Sequence, residues 1–207
     1  MLAAGSTAPC SDGAFKLSGH KWTAEYQWRF QAGSTPGANS KDNVETALVN
    51  AANAITTSRN SCGFADLVSA THKYLGRTSA APAVRGTASG AVACGNSDGN
   101  NVIGFGSLPA GFLAVACSWT DGAGKAVEGD IKYNTRYSWY ALGVPANCSR
   151  RFGVQAIGVH ELGHVFGLSH VSESGHPNLT MSTAARDCSN APLSLGLGDV
   201  RALRQLY

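Results

Sequence analysis

The sequence predicts an α+β fold, and two changes in hydrophobic period support this assignment. Between residues 22 and 30 apolar and polar residues alternate, as in a strand with one buried face, and the apolar positions are Trp22, Ala24, Tyr26, Trp28 and Phe30. From Lys41 the apolar residues follow helical spacing instead. The complete order of strand, helix, strands, helix, loop and helix is mixed, which places the chain in this class.

The first half of the chain has clear stop and start signals. Pro36-Gly37 ends the first strand, and Ser40 or Asn39 can cap the helix that follows. Residues 60–63 contain an asparagine and a glycine that end this helix. A second strand is expected within residues 66–77.

The second half predicts three further strands and two helices. Residues 78–101 are rich in Ala, Gly, Ser and Asn, and they form a long excursion with weak local preferences. Strands are expected next at residues 102–105, 112–119 and 126–133. Ser149 can cap a helix that runs to about Gly167, and a short helix over residues 197–207 closes the chain after a loop.

The composition is that of a globular chain with few charges. Of 207 residues, 43% are hydrophobic and 14% are charged, which is enough apolar material for a core in one domain or in two small lobes. The net charge is +3 and the basic residues are scattered, so nucleic acid is not an expected partner. No apolar run approaches the ~20 residues that a membrane span needs, so no membrane partner is expected either.

The cysteines indicate an oxidising compartment. There are six, widely spaced and without a C-x-x-C pair, which favours three disulfides over a cysteine zinc site. Six free thiols in a cytosolic protein are the alternative. Residues 1–5 are too short for a signal peptide, so we expect a mature domain from which a signal and any propeptide were removed.

One run has a spacing that chance rarely produces. It reads HELGHVFGLSH and fits H-E-x-x-H-x-x-G-x-x-H. On a helix, His160 and His164 are one turn apart and face the same way, with Glu161 placed as a base beside a metal-bound water. Gly167 can end the helix in a left-handed conformation, so that His170 returns as a third ligand. Three neutral imidazoles and a water make a catalytic zinc site with one open position.

This run resembles the motif of the metzincin zinc endopeptidases. Metzincins carry a methionine turn beneath the metal, and Met181 lies at a suitable distance after His170 to form an apolar floor without ligating. Within the metzincins the chain is most similar to the matrixins, the matrix-metalloproteinase type. The likeness covers most of the chain from residue 20 onward, with its clearest runs at residues 111–116, 129–139 and 198–207.

The resemblance implies a metzincin fold. Its expected parts are a twisted, mostly parallel five-stranded sheet, three helices and an active-site cleft between two subdomains. A single catalytic domain would span residues 1–207, with an N-terminal subdomain at approximately 1–167 that includes the active-site helix, and a smaller C-terminal subdomain at 168–207. The resemblance also implies a secreted, extracellular enzyme of bacterial type. We expect this enzyme to be a monomer and to act on proteins or peptides.

The chain departs from the matrixin pattern where that family holds structural ions. Val115 and Lys132 stand where matrixins have zinc-binding histidines on two strands, and an ammonium group cannot join a zinc shell. Asn134 and Tyr137 stand where matrixins have calcium-binding carboxylates. We therefore expect one catalytic zinc, no second zinc and no calcium by this route. Disulfides would replace the ions. Six cysteines allow 15 pairings, which the sequence leaves open, and the preferred pairing is Cys148–Cys188, Cys94–Cys117 and Cys10–Cys62.

The last helix departs from the family pattern at its first position. Gly198 replaces the first of the two aspartates that open this helix in matrixins and that anchors the mature N-terminus there. Asp199, the second, is present. By the resemblance, its carboxylate braces the backbone of the methionine turn around Met181.

The resemblance also implies a mechanism and a substrate path. A zinc-activated water would attack the peptide carbonyl, while Glu161 acts as general base and passes the proton to the leaving amine. An extended substrate would lie against Leu113, Ala114 and Val115 by strand addition. Ile157 would line a pocket beside the zinc, which implies an apolar substrate residue after the cleaved bond.

Two other interpretations remain open. Ser97 lies in a G-x-S-x-G match, the signature of a serine-hydrolase elbow, but that elbow needs a preceding strand and a following helix, whereas its flanks suggest strand, turn and strand. The second interpretation is a secreted, non-catalytic binding module in which zinc only stabilises the structure. Glu161 argues against it, because a structural site has no use for a carboxylate beside a water.

Overall fold

The computed structural model describes residues 8–37, 39–183 and 185–207. The prediction about residues 1–5 lies outside these ranges. In the described part the helices are α1 Lys41–Thr56, α2 Val154–Val165 and α3 Leu197–Leu206, with a 3-10 turn at Ala32–Ser34. The strands are β1 Lys16–Leu17, β2 Tyr26–Phe30, β3 His72–Arg77, β4 Val84–Gly86, β5 Val92–Cys94, β6 Asn101–Gly106, β7 Ala114–Thr120, β8 Ala126–Asn134, β9 Ser138–Tyr140, β10 Arg151–Gly153 and β11 Leu168–Ser169.

The central element of the fold is a five-stranded sheet. Its strand order is β3-β2-β6-β8-β7, in which the first four strands are parallel and β7 runs antiparallel to β8. Within the described residues β7 has a strand partner on one side only. The prediction of an α+β fold with a mostly parallel five-stranded sheet and three helices is confirmed.

The helices α1 and α2 cross closely over one face of the sheet. The apolar face of α1, including Leu48 and Ala51, is fully buried, as the helical spacing predicts. At Gly158 a Cβ would lie 3.0 Å from the Ala51 Cβ and 2.8 Å from the Tyr133 hydroxyl oxygen. The glycine therefore lets α2 pack directly on α1 and on the sheet.

Two local predictions were wrong in part. The first strand begins at Tyr26, because the Trp22 amide donates to the Tyr207 hydroxyl at 3.0 Å instead of joining a strand, and Ala24 is exposed. The helix α2 begins at Val154 and is not capped by Ser149. Residues 151–153 pair with β9 as a parallel strand, which keeps the chain extended up to the first turn of α2.

The long excursion at residues 78–101 contains a short hairpin. Its strands β4 and β5 pair antiparallel, and the Cys94–Cys117 disulfide ties the hairpin to β7. All three preferred pairings are confirmed, and the described cysteines leave no free thiol. In the described part, no helix has both the length and the apolar character to cross a membrane.

A row of alternating polar side chains along β8 was not anticipated from the sequence. Because Ile131 and Tyr133 face the core, alternation places the polar side chains on the opposite face, and these are Glu128, Asp130, Lys132 and Asn134. Glu128 is fully buried, and its Oε2 accepts hydrogen bonds from the Ser97 hydroxyl at 2.6 Å and from the amide of Gly99 at 2.6 Å. The row thus holds the excursion against the sheet.

The middle of this row ties down the hairpin strand β4. Asp130 accepts hydrogen bonds from the amides of Ala83 at 2.5 Å and Val102 at 2.7 Å. Burial raises the pKa of Asp130 to about 6, and these two amides act in the opposite direction. The Lys132 ammonium donates to the Val84 carbonyl. Asp130 and Lys132 therefore bind loop backbone directly.

Candidate active site

The helix α2 presents the first two histidines and the glutamate, and a glycine turn returns the third histidine. Gly167 follows α2 with a φ of 95°, a left-handed conformation that favours glycine. A Cβ at this position would lie 2.2 Å from the His20 carbonyl oxygen. Beyond the turn, β11 pairs antiparallel with β1, and His170 follows directly. Only glycine satisfies both the conformation and the space at this turn.

The three imidazoles converge through their Nε2 atoms. The Nε2 of His170 lies 3.0 Å from that of His160 and 2.9 Å from that of His164. The Nδ1 of His160 lies 2.7 Å from the Thr180 carbonyl oxygen, and the Nδ1 of His164 lies 2.9 Å from that of Leu168. Because a carbonyl accepts only from a protonated nitrogen, these contacts assign the proton to Nδ1 and leave the Nε2 lone pair free.

Bare lone pairs at this separation repel one another unless they share a cation. Tetrahedral zinc with Zn–N distances of ~2.0–2.1 Å keeps its ligand atoms about 3.3 Å apart, close to the observed separations. Burial lowers the pKa of His160 to about 3 and that of His164 to about 4, so both rings are neutral at pH 7, as metal ligands must be. Burial also lowers the pKa of His170. The residues fit zinc.

Glu161 lies beside the histidines with its side chain almost completely buried. Its exposed fraction is 6%, and burial raises its pKa to about 8. The backbone amide of Ala116 in β7 donates a hydrogen bond that acts in the opposite direction. A divalent cation nearby would also favour the carboxylate. A desolvated carboxylate is a stronger base than one in water, which suits proton transfer.

Met181 lies beneath the histidine-bearing helix. It is 2% exposed, and a Cβ at Gly163 would lie 2.4 Å from its sulfur, so the glycine makes room for the thioether. The buried carboxylate of Asp199 accepts hydrogen bonds from the amides of Thr180 at 2.9 Å and Met181 at 3.3 Å. The Thr180 carbonyl in turn orients His160. Asp199 therefore connects α3 to a metal-site histidine through the methionine turn.

A cavity of about 630 Å³ opens over this site, between α2, β7 and the loop that follows Met181. It brings together all four residues predicted to contact substrate, namely Leu113, Ala114, Val115 and Ile157. Distant segments add lining residues that sequence reasoning missed: Ser18, His20 and Val92. No local pattern marks these residues, because only the fold brings their segments to the cleft.

Residues at and just after the end of β8 hold the loop that precedes the edge strand β7. The Asn134 side chain accepts a hydrogen bond from the Leu108 amide at 3.2 Å and donates to the Phe112 carbonyl at 2.8 Å. The Tyr137 hydroxyl accepts from the Gly111 amide at 3.0 Å. The two residues that stand at the family's calcium positions thus hold the loop leading into β7.

Ser97 lies away from this arrangement. Its hydroxyl donates to Glu128, and the next element is the strand β6. The segment therefore lacks the helix that must follow a serine-hydrolase nucleophile.

The three imidazoles converge on one point beside a buried glutamate and above a buried methionine, and this is the arrangement of residues that the metzincin class implies. A family model for matrixins matches residues 98–207, just over half of the chain. The chain therefore belongs to the matrixin family, for which zinc is the implied metal. No curated protein sequence matches the chain significantly.

We expect metal analysis to find about one zinc per chain and no tightly bound second zinc. Val115 and Lys132 face each other in register on β7 and β8, and the Lys132 ammonium is engaged with the Val84 carbonyl. Elemental analysis by mass spectrometry after dialysis against zinc-free buffer measures the stoichiometry. A reproducible value of two zinc ions, or calcium that survives the same dialysis, would contradict this expectation.

Proposed function

We propose that this matrixin is a secreted zinc endopeptidase that cleaves extended protein substrates, with Glu161 as general base. His160, His164 and His170 would hold the catalytic zinc. The observation that carries the proposal is the convergence of three imidazole lone pairs beside a buried carboxylate in an open cleft. Structural zinc sites have no such combination of an open side and an adjacent base.

The roles of the protein groups follow from their positions. Zinc, when bound, polarises the peptide carbonyl and makes a water molecule acidic, with a pKa of ~7. Glu161 would take a proton from the attacking water and deliver it to the leaving amine nitrogen. The Thr180 and Leu168 carbonyls keep His160 and His164 in the tautomer that presents Nε2. Met181 would support the three rings from below.

The edge strand supports an extended mode of substrate binding. Because β7 is paired on one side only among the described residues, its other edge can form main-chain hydrogen bonds with a peptide. Leu113, Ala114 and Val115 would supply these bonds, and Ile157 would line the pocket for the residue after the cleaved bond. An open groove admits a chain that continues on both sides, which favours internal cleavage of proteins or peptides.

The disulfides support an extracellular setting. All six cysteines are paired, which is typical of proteins that fold and persist outside the cytosol. A monomer is proposed as the active form. The alternative is a non-catalytic module in which zinc is a structural staple, and the buried Glu161 and the cavity above it count against that alternative.

Casein hydrolysis by the zinc-loaded protein tests the proposal. We expect activity that 1,10-phenanthroline abolishes, that added zinc restores and that a serine-directed inhibitor does not change. Zinc binding without any hydrolysis of casein or gelatin would favour the structural staple. Loss of activity with the serine reagent alone would favour Ser97.

A further inference from the structure

We propose that Arg186 recognises a carboxylate of the substrate on the C-terminal side of the cleaved bond, and so makes the enzyme selective for acidic substrates. The inference rests on the proposed peptidase function and names a substrate class for the same cleft. The carboxylate can belong to an Asp or Glu side chain or to the C-terminus of a short peptide. Arginine suits either, because its planar guanidinium binds carboxylates through two parallel hydrogen bonds.

Arg186 lines the cavity from the loop that follows Met181. Many of the other residues that line the cavity are small or apolar, among them Ala156, Ile157 and Pro192. The Arg186 side chain is exposed, and within the described residues it takes part in no hydrogen bond or ion pair. Its charge is therefore available to a ligand in the cleft.

The backbone next to Arg186 is held in place by three contacts. The Asp187 carboxylate accepts a hydrogen bond from the Arg150 amide at 3.0 Å. Cys188 is disulfide-bonded to Cys148, and the Ser189 carbonyl accepts from the Tyr140 hydroxyl at 2.6 Å. The anchors begin at the very next residue, so the guanidinium extends from a fixed point on the rim.

The charges around the cavity favour an anion at this point. Among the described lining residues, Glu161 is the single acidic side chain and Arg186 the single permanent cation. Glu161 is buried beside the three histidines, and the neighbouring Asp187 is not among the residues that line the cavity. A substrate carboxylate near Arg186 therefore meets a cation without a competing anion from the lining.

The topology assigns Arg186 to the C-terminal half of a substrate. The start of α2 lies beside the start of β7, since the Tyr133 hydroxyl donates to the Val154 carbonyl at 3.1 Å and Tyr133 is the register partner of Ala114. The loop is tied to the strand just before α2 by the hydrogen bond from the Cys188 amide to the Arg151 carbonyl at 2.8 Å. A peptide that adds antiparallel to β7 has its C-terminal half at that end.

Matched fluorogenic peptides test the inference. Each carries Glu, Gln or Lys at one of the three positions after the cleaved bond, and each is made with a free or an amidated C-terminus. For the wild type we expect kcat/KM to be about three- to fivefold higher with Glu than with Gln at one of these positions, the size expected for a partly exposed ion pair. This ratio should decrease at high salt, because salt screens the ion pair. The free-acid and amide arms distinguish a side-chain carboxylate from a terminal one.

Three variants separate charge from other effects. Arg186→Gln should bring the Glu/Gln ratio to about one, Arg186→Glu should shift the preference to Lys, and Arg186→Lys should keep part of it. The matched control is Arg59→Gln, because Arg59 is exposed outside the cavity and uses only its backbone in hydrogen bonds. We expect this control to leave every ratio at the wild-type value.

A binding measurement makes the outcome independent of turnover. Calorimetry on Glu161→Gln, with and without Arg186→Gln, compares the Kd values of the Glu and Gln peptides. Cleavage with a Glu/Gln ratio that is the same in the wild type and in Arg186→Gln would overturn the role of Arg186 and leave the peptidase function intact. Tighter binding of the Glu peptide without any cleavage would support the role of Arg186 and overturn the peptidase function. If no peptide binds, the result counts against the role of Arg186 and against the peptidase function.

Discussion

Replacement of Glu161 by alanine or glutamine is expected to lower kcat/KM by several orders of magnitude while zinc affinity and folding stay close to those of the wild type. General-base catalysis alone contributes about 10²–10⁴-fold, and no other described carboxylate lines the cavity. The imidazoles keep their own carbonyl partners, so zinc binding does not depend on Glu161. Burial raises the pKa of Glu161 because its charged form is desolvated, so a neutral glutamine does not unfold the chain.

Peptide kinetics, zinc titration with a chromophoric competitor and urea unfolding measure the three properties separately. Glu173→Gln is the matched control, because Glu173 is an exposed residue on the loop after the third histidine. It should retain wild-type activity. More than about one tenth of wild-type activity in Glu161→Ala would rule out the assigned role, since a lost general base costs at least ~10²-fold.

Gly167→Ala is expected to weaken zinc binding strongly and to destabilise the fold by about 2–5 kcal/mol. The left-handed φ of 95° is unfavourable for alanine, and its Cβ would lie 2.2 Å from the His20 carbonyl oxygen and 3.0 Å from Leu206 Cδ1. To relieve the overlap the chain must shift at the turn that brings His170 to the other two rings. The site would then lose its third ligand, and activity would fall with it.

The zinc dissociation constant and the urea midpoint of the metal-free protein are the measurements. Gly175→Ala is the control, because a Cβ there makes only an ordinary contact of 3.4 Å with the Ser172 hydroxyl. We expect that variant to change zinc affinity and stability little. A Gly167→Ala protein that binds zinc as tightly as the wild type would show that the turn does not position His170.

The regular elements were predictable wherever a segment buries one face. The helix α1 lies where the helical spacing begins, and strands formed at each of the three sites expected in the middle of the chain. The errors occurred at ends. Ser149 has the chemistry of a cap, but pairing of β10 with β9 keeps the chain extended through Gly153. Pairing with β9 therefore fixes where α2 begins, and a capping preference of ~1 kcal/mol for Ser149 does not outweigh this pairing.

The row along β8 shows what a residue pattern leaves undecided. Glu128, Asp130, Lys132 and Asn134 have the period of a solvated strand face. The structure instead buries Glu128, Asp130 and Asn134 completely and Lys132 partly, beneath loops that are distant in sequence. Their partners are backbone amides and carbonyls, which carry no residue-specific signal. The alternation of polar residues along β8 was visible in the sequence. It did not show which backbone groups these side chains would bind.

The metal site itself was determined by local sequence. His160, Glu161, His164, Gly167 and His170 lie within one helix and one turn, and the geometry of such a segment follows from helical periodicity and from glycine's freedom at positive φ. The role of Met181 was accessible only through resemblance to a family, and the sequence left the cysteine pairing open among 15 possibilities. The tertiary structure decided the rest, including the positions of Ser18, His20 and Val92 in the cleft and the open edge of β7. These features join segments far apart in the chain, and their positions depend on packing of the whole fold, which no single stretch of residues encodes.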